Sequence, residues 1–134
     1  MMSHFRRLSV VAFAAFGSLL LACSSSPEKT PPATVEGNHE VMSCNEIVGW
    51  VWDRNRPDVP LSVIILDGST PLATVTADVL RGDLVTAGKG NGRHGFSYVV
   101  PASLKNDQPH EIRIMESVTG IRLSNTPQQL TCPS

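Results

Sequence analysis

LSVIILDGSTPLATVTA, residues 61–77, decides the fold class. Leu61–Asp67 is a short apolar run built on Val and Ile, too short for a helix and bounded by turn residues, so it reads as a strand. It is apolar on both faces, which places it in the centre of a sheet. Asp67-Gly68-Ser69-Thr70-Pro71 is a tight connection, and Leu72–Ala77 after it reads as the second arm of a hairpin. Working outward, Glu46–Trp52 (EIVGWVW), Phe96–Val100 (FSYVV) and His110–Glu116 (HEIRIME) have the same character. Phe96, Tyr98 and Val100 alternate with polar positions, as do Ile112 and Ile114, giving each strand one buried face. Ile121–Leu123 and Gln129–Cys132 are expected as short final strands. Short strands separated by turns predict an all-β, two-sheet antiparallel sandwich.

One segment departs from this pattern. In Asp78–Gly88, Asp78 is a plausible N-cap, Leu80 and Leu84 stand four apart, and Gly88 is placed to end a helix. A turn or two of helix is expected here, crossing the end of the sandwich. Gly88–Gly95 (GKGNGRHG) then reads as a flexible turn.

The N-terminus has a different composition. Arg6 and Arg7 precede an uncharged apolar run, Leu8–Ala22, that is shorter than the roughly 20 residues of a membrane span. This order of parts is that of a cleaved export signal. Leu20-Leu21-Ala22-Cys23 resembles the lipobox of bacterial lipoproteins. The resemblance implies cleavage before Cys23, a diacylglyceryl group on its thiol and, in many bacteria, acylation of the new amino terminus. Two acyl signals already make a stable anchor, at about 0.8 kcal/mol per buried CH₂. Ser24 after the cysteine implies, by the same resemblance, transfer to an outer membrane, facing the periplasm or the surface. Ser24–Asn38 (SSSPEKTPPATVEGN) is polar and Pro-rich, and is expected to be a flexible tether with a reach of roughly 20–25 Å. The expected organisation is therefore a signal peptide at 1–22, lipidated cysteine and tether at 23–38, and a folded domain at 39–134.

Removal of residues 1–22 from the 134-residue chain leaves 112, enough for one small domain. Arg6 and Arg7 leave with the signal, so Lys plus Arg falls from 11 to 9 against 12 acidic residues, a net charge of −3. The remaining cations are scattered singly, which makes a nucleic-acid partner unlike this chain. With Cys23 assigned to lipid, Cys44 and Cys132 remain. In an oxidising compartment two cysteines bracketing a domain most simply form one disulfide. It would close a loop of 88 residues, for which chain entropy alone gives roughly 4.6 kcal/mol, an upper figure.

Gly49-Trp50-Val51-Trp52-Asp53, with Pro57 and the strand ending Asp67-Gly68, is similar to a small bacterial β-sandwich module with a GWAWD start. Thr76-Ala77-Asp78, Arg81, Asp83-Leu84 and Gly90-Asn91-Gly92-Arg93-His94-Gly95-Phe96 follow in the order of that module. The resemblance covers about Glu46 to Met115 and implies an immunoglobulin-like fold. Such modules occur repeated in, or appended to, secreted and envelope proteins, several of them carbohydrate-active. It implies no catalytic residues, and a fold fixes no activity.

Trp50 and Trp52 lie two apart on one strand and share a face with Val48. They form either a stacking platform for sugar rings or part of the sandwich core. The core is the favoured reading, because aromatic residues make up only 5% of the chain. Arg93 and His94, in the glycine-rich turn, complete the candidate ligand-binding set. His94 and His110 sit on separate elements, so no metal site is expected from them. Asp53, Asp58, Asp78 and Asp83 fit caps and turns better than a calcium loop, since no EF-hand spacing is present. Arg81-Gly82-Asp83 spells an integrin-binding tripeptide, a triplet short enough to arise by chance. Nucleophile elbow, zinc-protease helix and phosphate loop are all missing from the sequence. The expectation is a lipid-anchored envelope protein without catalytic residues or cofactor. Its partners are expected to be the membrane, through Cys23, and either a glycan or another envelope protein.

Overall fold

The computed structural model describes residues 33–134. The expected signal segment, Cys23 and most of the expected tether lie outside the described residues. Within them, eight strands follow in chain order: β1 Val35–Met42, β2 Glu46–Asp53, β3 Leu61–Asp67, β4 Thr70–Ala77, β5 Val79–Leu80, β6 Arg93–Val99, β7 Pro109–Glu116 and β8 Gln128–Thr131. One short helix, α1 Gly82–Thr86, and a 3₁₀ turn at Ala102–Leu104 interrupt them. The strands form two four-stranded sheets, ordered β1-β2-β6-β5 and β4-β3-β7-β8. Every strand pair is antiparallel. The described residues form an all-β antiparallel sandwich with a single short helix, as the short strands separated by turns predict.

The core is the sum of the inward faces. Ile47, Val51 and Phe96 of the first sheet meet Val63, Ile65, Ile112 and Ile114 of the second, and all seven are buried. Each such side chain contributes about 1.5–3 kcal/mol on burial. The hairpin forms where expected: β3 pairs with β4 from Leu61↔Ala77 to Asp67↔Thr70, and Gly68 takes φ +58 in the turn.

Four expectations are corrected. The domain begins before residue 39: β1 starts at Val35, which pairs with Asp53 and is buried. Val35–Met42 (VEGNHEVM) carries too few apolar residues to read as a strand, yet Val35 and His39 are both buried. The helix is shorter than Asp78–Gly88. Val79 and Leu80 instead pair with Gly95 and Arg93 of β6, and Asp78 is not its N-cap. Gly88, at φ +76, does close it, with Lys89 N–H bonding back to the Leu84 carbonyl. The glycine-rich turn is partly strand, since β6 begins at Arg93. Finally, Ile121–Leu123 forms no strand; Arg122 and Ser124 make single bridges to Met115 and Asn38.

The two flanks of the sandwich differ. On one, Ser124 bonds to β1 through His39 N–H and the Gly37 carbonyl, and Asn125 Nδ2 donates to Asn38 Oδ1 at 2.7 Å. The Cys44–Cys132 disulfide, with its sulfurs 2.16 Å apart, joins the end of this flank. On the other, the chain steps from β4 to β5 through Asp78 alone, passing from the edge of one sheet to the edge of the other.

Candidate functional site

The tryptophans do not enter the core. In β2 the inward positions are Ile47, Gly49 and Val51, so Trp50 and Trp52 face outward, opposite Asn38 and Glu36 of β1. The expectation of a core tryptophan is thus overturned by strand phase. Trp50 is half-buried, whereas Trp52 is only 7% exposed although it sits on the outer face. The loops after β2 and after α1 account for this. Trp52 Nε1 donates to the Pro57 carbonyl at 3.1 Å. Lys89 Nζ lies 4.8 Å from the Trp52 ring centroid and 5.0 Å from that of Trp50. Its other partner is the Glu36 carboxylate. One ammonium therefore serves two indole faces and one carboxylate, an arrangement in which the cation–π contribution grows as water is excluded.

Arg93 and His94 separate in the same way. Arg93 is exposed, and its N–H bonds to Asn91 Oδ1 at 3.0 Å. His94 is fully buried, with Nε2 2.8 Å from the same Pro57 carbonyl that receives Trp52. Burial pushes its pKa down, against smaller opposing effects from the Pro57 carbonyl and Asp58. The turn packs tightly: a Cβ on Gly90, at φ +56, would run into the Pro57 carbonyl. Of the four candidate contacts, Trp50 and Arg93 reach solvent, while Trp52 and His94 hold the loop between β2 and β3.

A second ion cluster crosses the same outer face. Arg81 donates Nε to Asp83 Oδ1 at 3.0 Å, Nη2 to Asp83 Oδ2 at 2.6 Å, and its guanidinium also grips Glu40 of β1. The hydrogen bonds that Arg81 donates to Asp83 and then to Glu40 raise its pKa, and the Arg81 side chain holds the Asp83 carboxyl below its usual range. Gly95 makes this crossing possible, since a Cβ there would come within 2.8 Å of Arg81 Cδ. In the Arg81-Gly82-Asp83 tripeptide the two charged side chains are bonded to each other rather than splayed.

The other polar groups are structural. Asp53 Oδ1 and Oδ2 accept from Asn55 N–H and Arg56 Nε, both at 2.9 Å. Desolvation raises its pKa, but hydrogen bonds from Arg56, Asn55 and Thr34 outweigh this and leave it lowered. Glu116, also buried, accepts from the N–H groups of Val118 and Thr119 and from the Thr119 hydroxyl, so its pKa too is lowered despite desolvation. His110 bridges Asp67 Oδ2 at 2.6 Å and Asn106 Oδ1 at 2.9 Å. His39 is fully buried and pairs across the strands with Gly49, and among the described residues neither ring nitrogen has a hydrogen-bond partner. Burial lowers its pKa, partly opposed by the nearby Val41 backbone. Among the described residues there is no metal-ligating cluster, no cavity, and no helix long and apolar enough to cross a membrane.

The sheet edge is the feature that residue-by-residue reading misses. β4 pairs with β3 on one side; among the described residues no strand is hydrogen-bonded to its other side, although the strand runs close to β6. Its sequence, TPLATVTA, carries no charge. Lys89 and Glu36 were also hidden, the first as a lone cation among glycines and the second in the expected tether. No protein-family model matches the chain, and no match arises among the curated proteins or the solved structures compared with it.

Proposed function

We propose that this chain is an envelope lipoprotein, anchored through lipid on Cys23, whose domain is a non-catalytic docking module for protein. The observation that carries this reading is the open, uncharged edge of β4. An exposed row of unpaired N–H and C=O groups is a template for strand addition, and soluble proteins usually protect such edges with charge, proline or a covering loop. β4 has only Pro71, at its start. Burial of Trp52 and His94 supports the same reading, because it removes two of the four residues that a glycan would need. The likeness of Glu46–Met115 to modules of envelope proteins fits a role in assembly.

The test is crosslinking in intact envelopes from a single cysteine placed on the edge. Thr76→Cys with a short thiol-to-amine reagent is expected to give discrete protein adducts, and Val118→Cys, in the turn after β7, none. Equal labelling patterns from the two positions would count against docking at β4.

One observation favours a second reading. Trp50 keeps part of its ring in solvent, with Asn38, Glu36 and Lys89 beside it, the kind of aromatic and polar mixture that recognises a sugar face. Saturable co-sedimentation with peptidoglycan, lost in a folded Trp50→Ala variant, would move the assignment to a glycan-binding lipoprotein.

A further inference from the structure

We infer that the end of the sandwich at which the chain enters rests on the phospholipid leaflet that holds the anchor, with Val59 and Val118 set into its headgroup layer. This rests on the lipid-anchor reading above and adds a contact surface to it. Val35 is the first residue of β1, and 11 residues, 24–34, separate it from Cys23. However those are arranged, they cannot carry Val35 more than about 40 Å from the lipidated residue. The opposite end of the sandwich lies a strand length further on, about 25 Å for the eight residues of β2.

Three parts of the chain meet at the entry end. Arg54, just after β2, donates its N–H to the Thr34 carbonyl at 2.9 Å, beside the start of β1. The loop from there, residues 54–60 (RNRPDVP), is exposed throughout and leads into Leu61. The turn after β7 lies against the same strand start, with Ser117 N–H bonding to the Ser62 carbonyl at 2.9 Å.

The side chains presented here suit a headgroup layer. Val118 is 83% exposed in a tight turn, a setting where Gly, Pro, Asn, Asp or Ser is usual. Its backbone is held: the buried Glu116 carboxylate accepts the N–H groups of Val118 and Thr119 at 3.0 and 2.7 Å. Val59, 44% exposed, is the second large aliphatic at this end, and its N–H bonds to the Arg56 carbonyl. Arg54 is exposed in the same loop, with a stem long enough to lie along apolar surface while its charge stays at phosphate level. Charge does not oppose the contact. Asp53 pairs with Arg56, Asp83 with Arg81 and Glu36 with Lys89, and Glu116 is buried. That leaves exposed Arg54 and Arg93 against exposed Asp58 and Asp78, so the valines decide.

Two valines would not hold a free domain on a bilayer. A short covalent link changes this, because it raises the effective concentration of the linked surface to the order of millimolar. Val99 marks the contrast. It is 76% exposed but stands opposite Glu46 at the far end, where no anchor brings it to lipid.

The experiment uses the full-length acylated chain on phosphatidylcholine vesicles that carry a nitroxide-headgroup lipid. Cys44 and Cys132 are paired and Cys23 carries lipid, so Asn55→Cys or Val99→Cys supplies one free thiol for a fluorophore. Quenching at position 55 should exceed that at position 99 by about threefold or more, as interfacial burial requires. It should fall towards the position-99 level when Val59→Ser and Val118→Ser are added, with an unchanged melting temperature showing an intact domain. Equal quenching at the two positions in a chain that floats with the vesicles would overturn the inference and leave the anchor standing. A difference unmoved by the two serines would mean proximity through the link alone, and would also overturn it. A chain that does not float with the vesicles would overturn the anchor reading and this inference together.

Discussion

Trp52 and His94, on different strands, share one acceptor: the indole Nε1 and the imidazole Nε2 reach the Pro57 carbonyl at 3.1 and 2.8 Å. That carbonyl belongs to the loop between β2 and β3, so β2, β6 and the crossover between the two sheets are tied at a single oxygen. A net hydrogen bond is worth about 0.5–1.5 kcal/mol, and more when its loss strands a buried partner. Trp52→Phe keeps most of the ring and should destabilise the domain by about 1 kcal/mol. His94→Ala also opens a cavity and should cost about 2–3 kcal/mol. Urea midpoints at pH 7.5 check both, and a His94→Ala domain as stable as the parent would contradict the shared-acceptor role.

Acid sensitivity follows from the buried histidines. Burial holds His39 and His94 below the ordinary histidine value of 6.5, so the unfolded chain binds protons that the folded one refuses. Their stabilisation is complete above about pH 6.5 and is lost as pH falls from there towards the folded values. The lowered carboxyl pKa values of Asp53 and Glu116 act in the same direction further down, below their ordinary 3.8 and 4.5. Melting temperature should therefore fall between pH 7 and 5. In His39→Leu, which leaves no unpaired ring nitrogen behind, the slope should be shallower, with stability at pH 7.5 equal to or above that of the parent. A slope identical to the parent would exclude His39 as a source.

Gly49 is a test of how closely the strands are packed. An added Cβ would press into the Asn38 carbonyl of β1 and within 2.7 Å of Phe96 Cζ in the core. Neither neighbour is a flexible chain end. Gly49→Ala should lower stability by about 1–3 kcal/mol, the range for overpacking, whereas Gly68→Ala meets open space and acts only through its positive φ. Chemical denaturation of the pair would separate the two effects.

The disulfide should contribute on the order of 2–4 kcal/mol, less than the chain-entropy limit. Cys44→Ser is expected to lower the melting temperature and to leave Cys132 open to alkylation without reductant. A thiol already reactive in the oxidised parent chain would rule the bridge out in solution.

For the anchor, Cys23→Ser should abolish lipid labelling and release the domain from membranes or leave an uncleaved precursor. Membrane retention of a processed Cys23→Ser chain at the parent level would contradict lipidation.

Much of this protein is written locally. Strand periodicity in β2, β3, β6 and β7, the Gly68 turn and the bracketing cysteines are all legible in the sequence, because each depends on residues one to five apart or on simple pairing of two thiols. Other features were decided only when strands from distant parts of the chain met. β1 has weak apolar patterning, and its burial comes from pairing with β2 and from the Ser124 segment. Val79 and Leu80 read as the start of a helix, but β6 offered their backbone hydrogen bonds that an isolated turn could not match. The tryptophans show the limit most clearly. Their two-residue spacing determined that they share a face, but not which face. Phase relative to Ile47 and Val51 turned them outward, and Lys89, Glu36 and the Pro57 carbonyl then covered Trp52 while leaving Trp50 part open. An open sheet edge has no sequence signature at all, since it is defined by the absence of a neighbour, and only the tertiary arrangement of strands determines where a neighbour is missing.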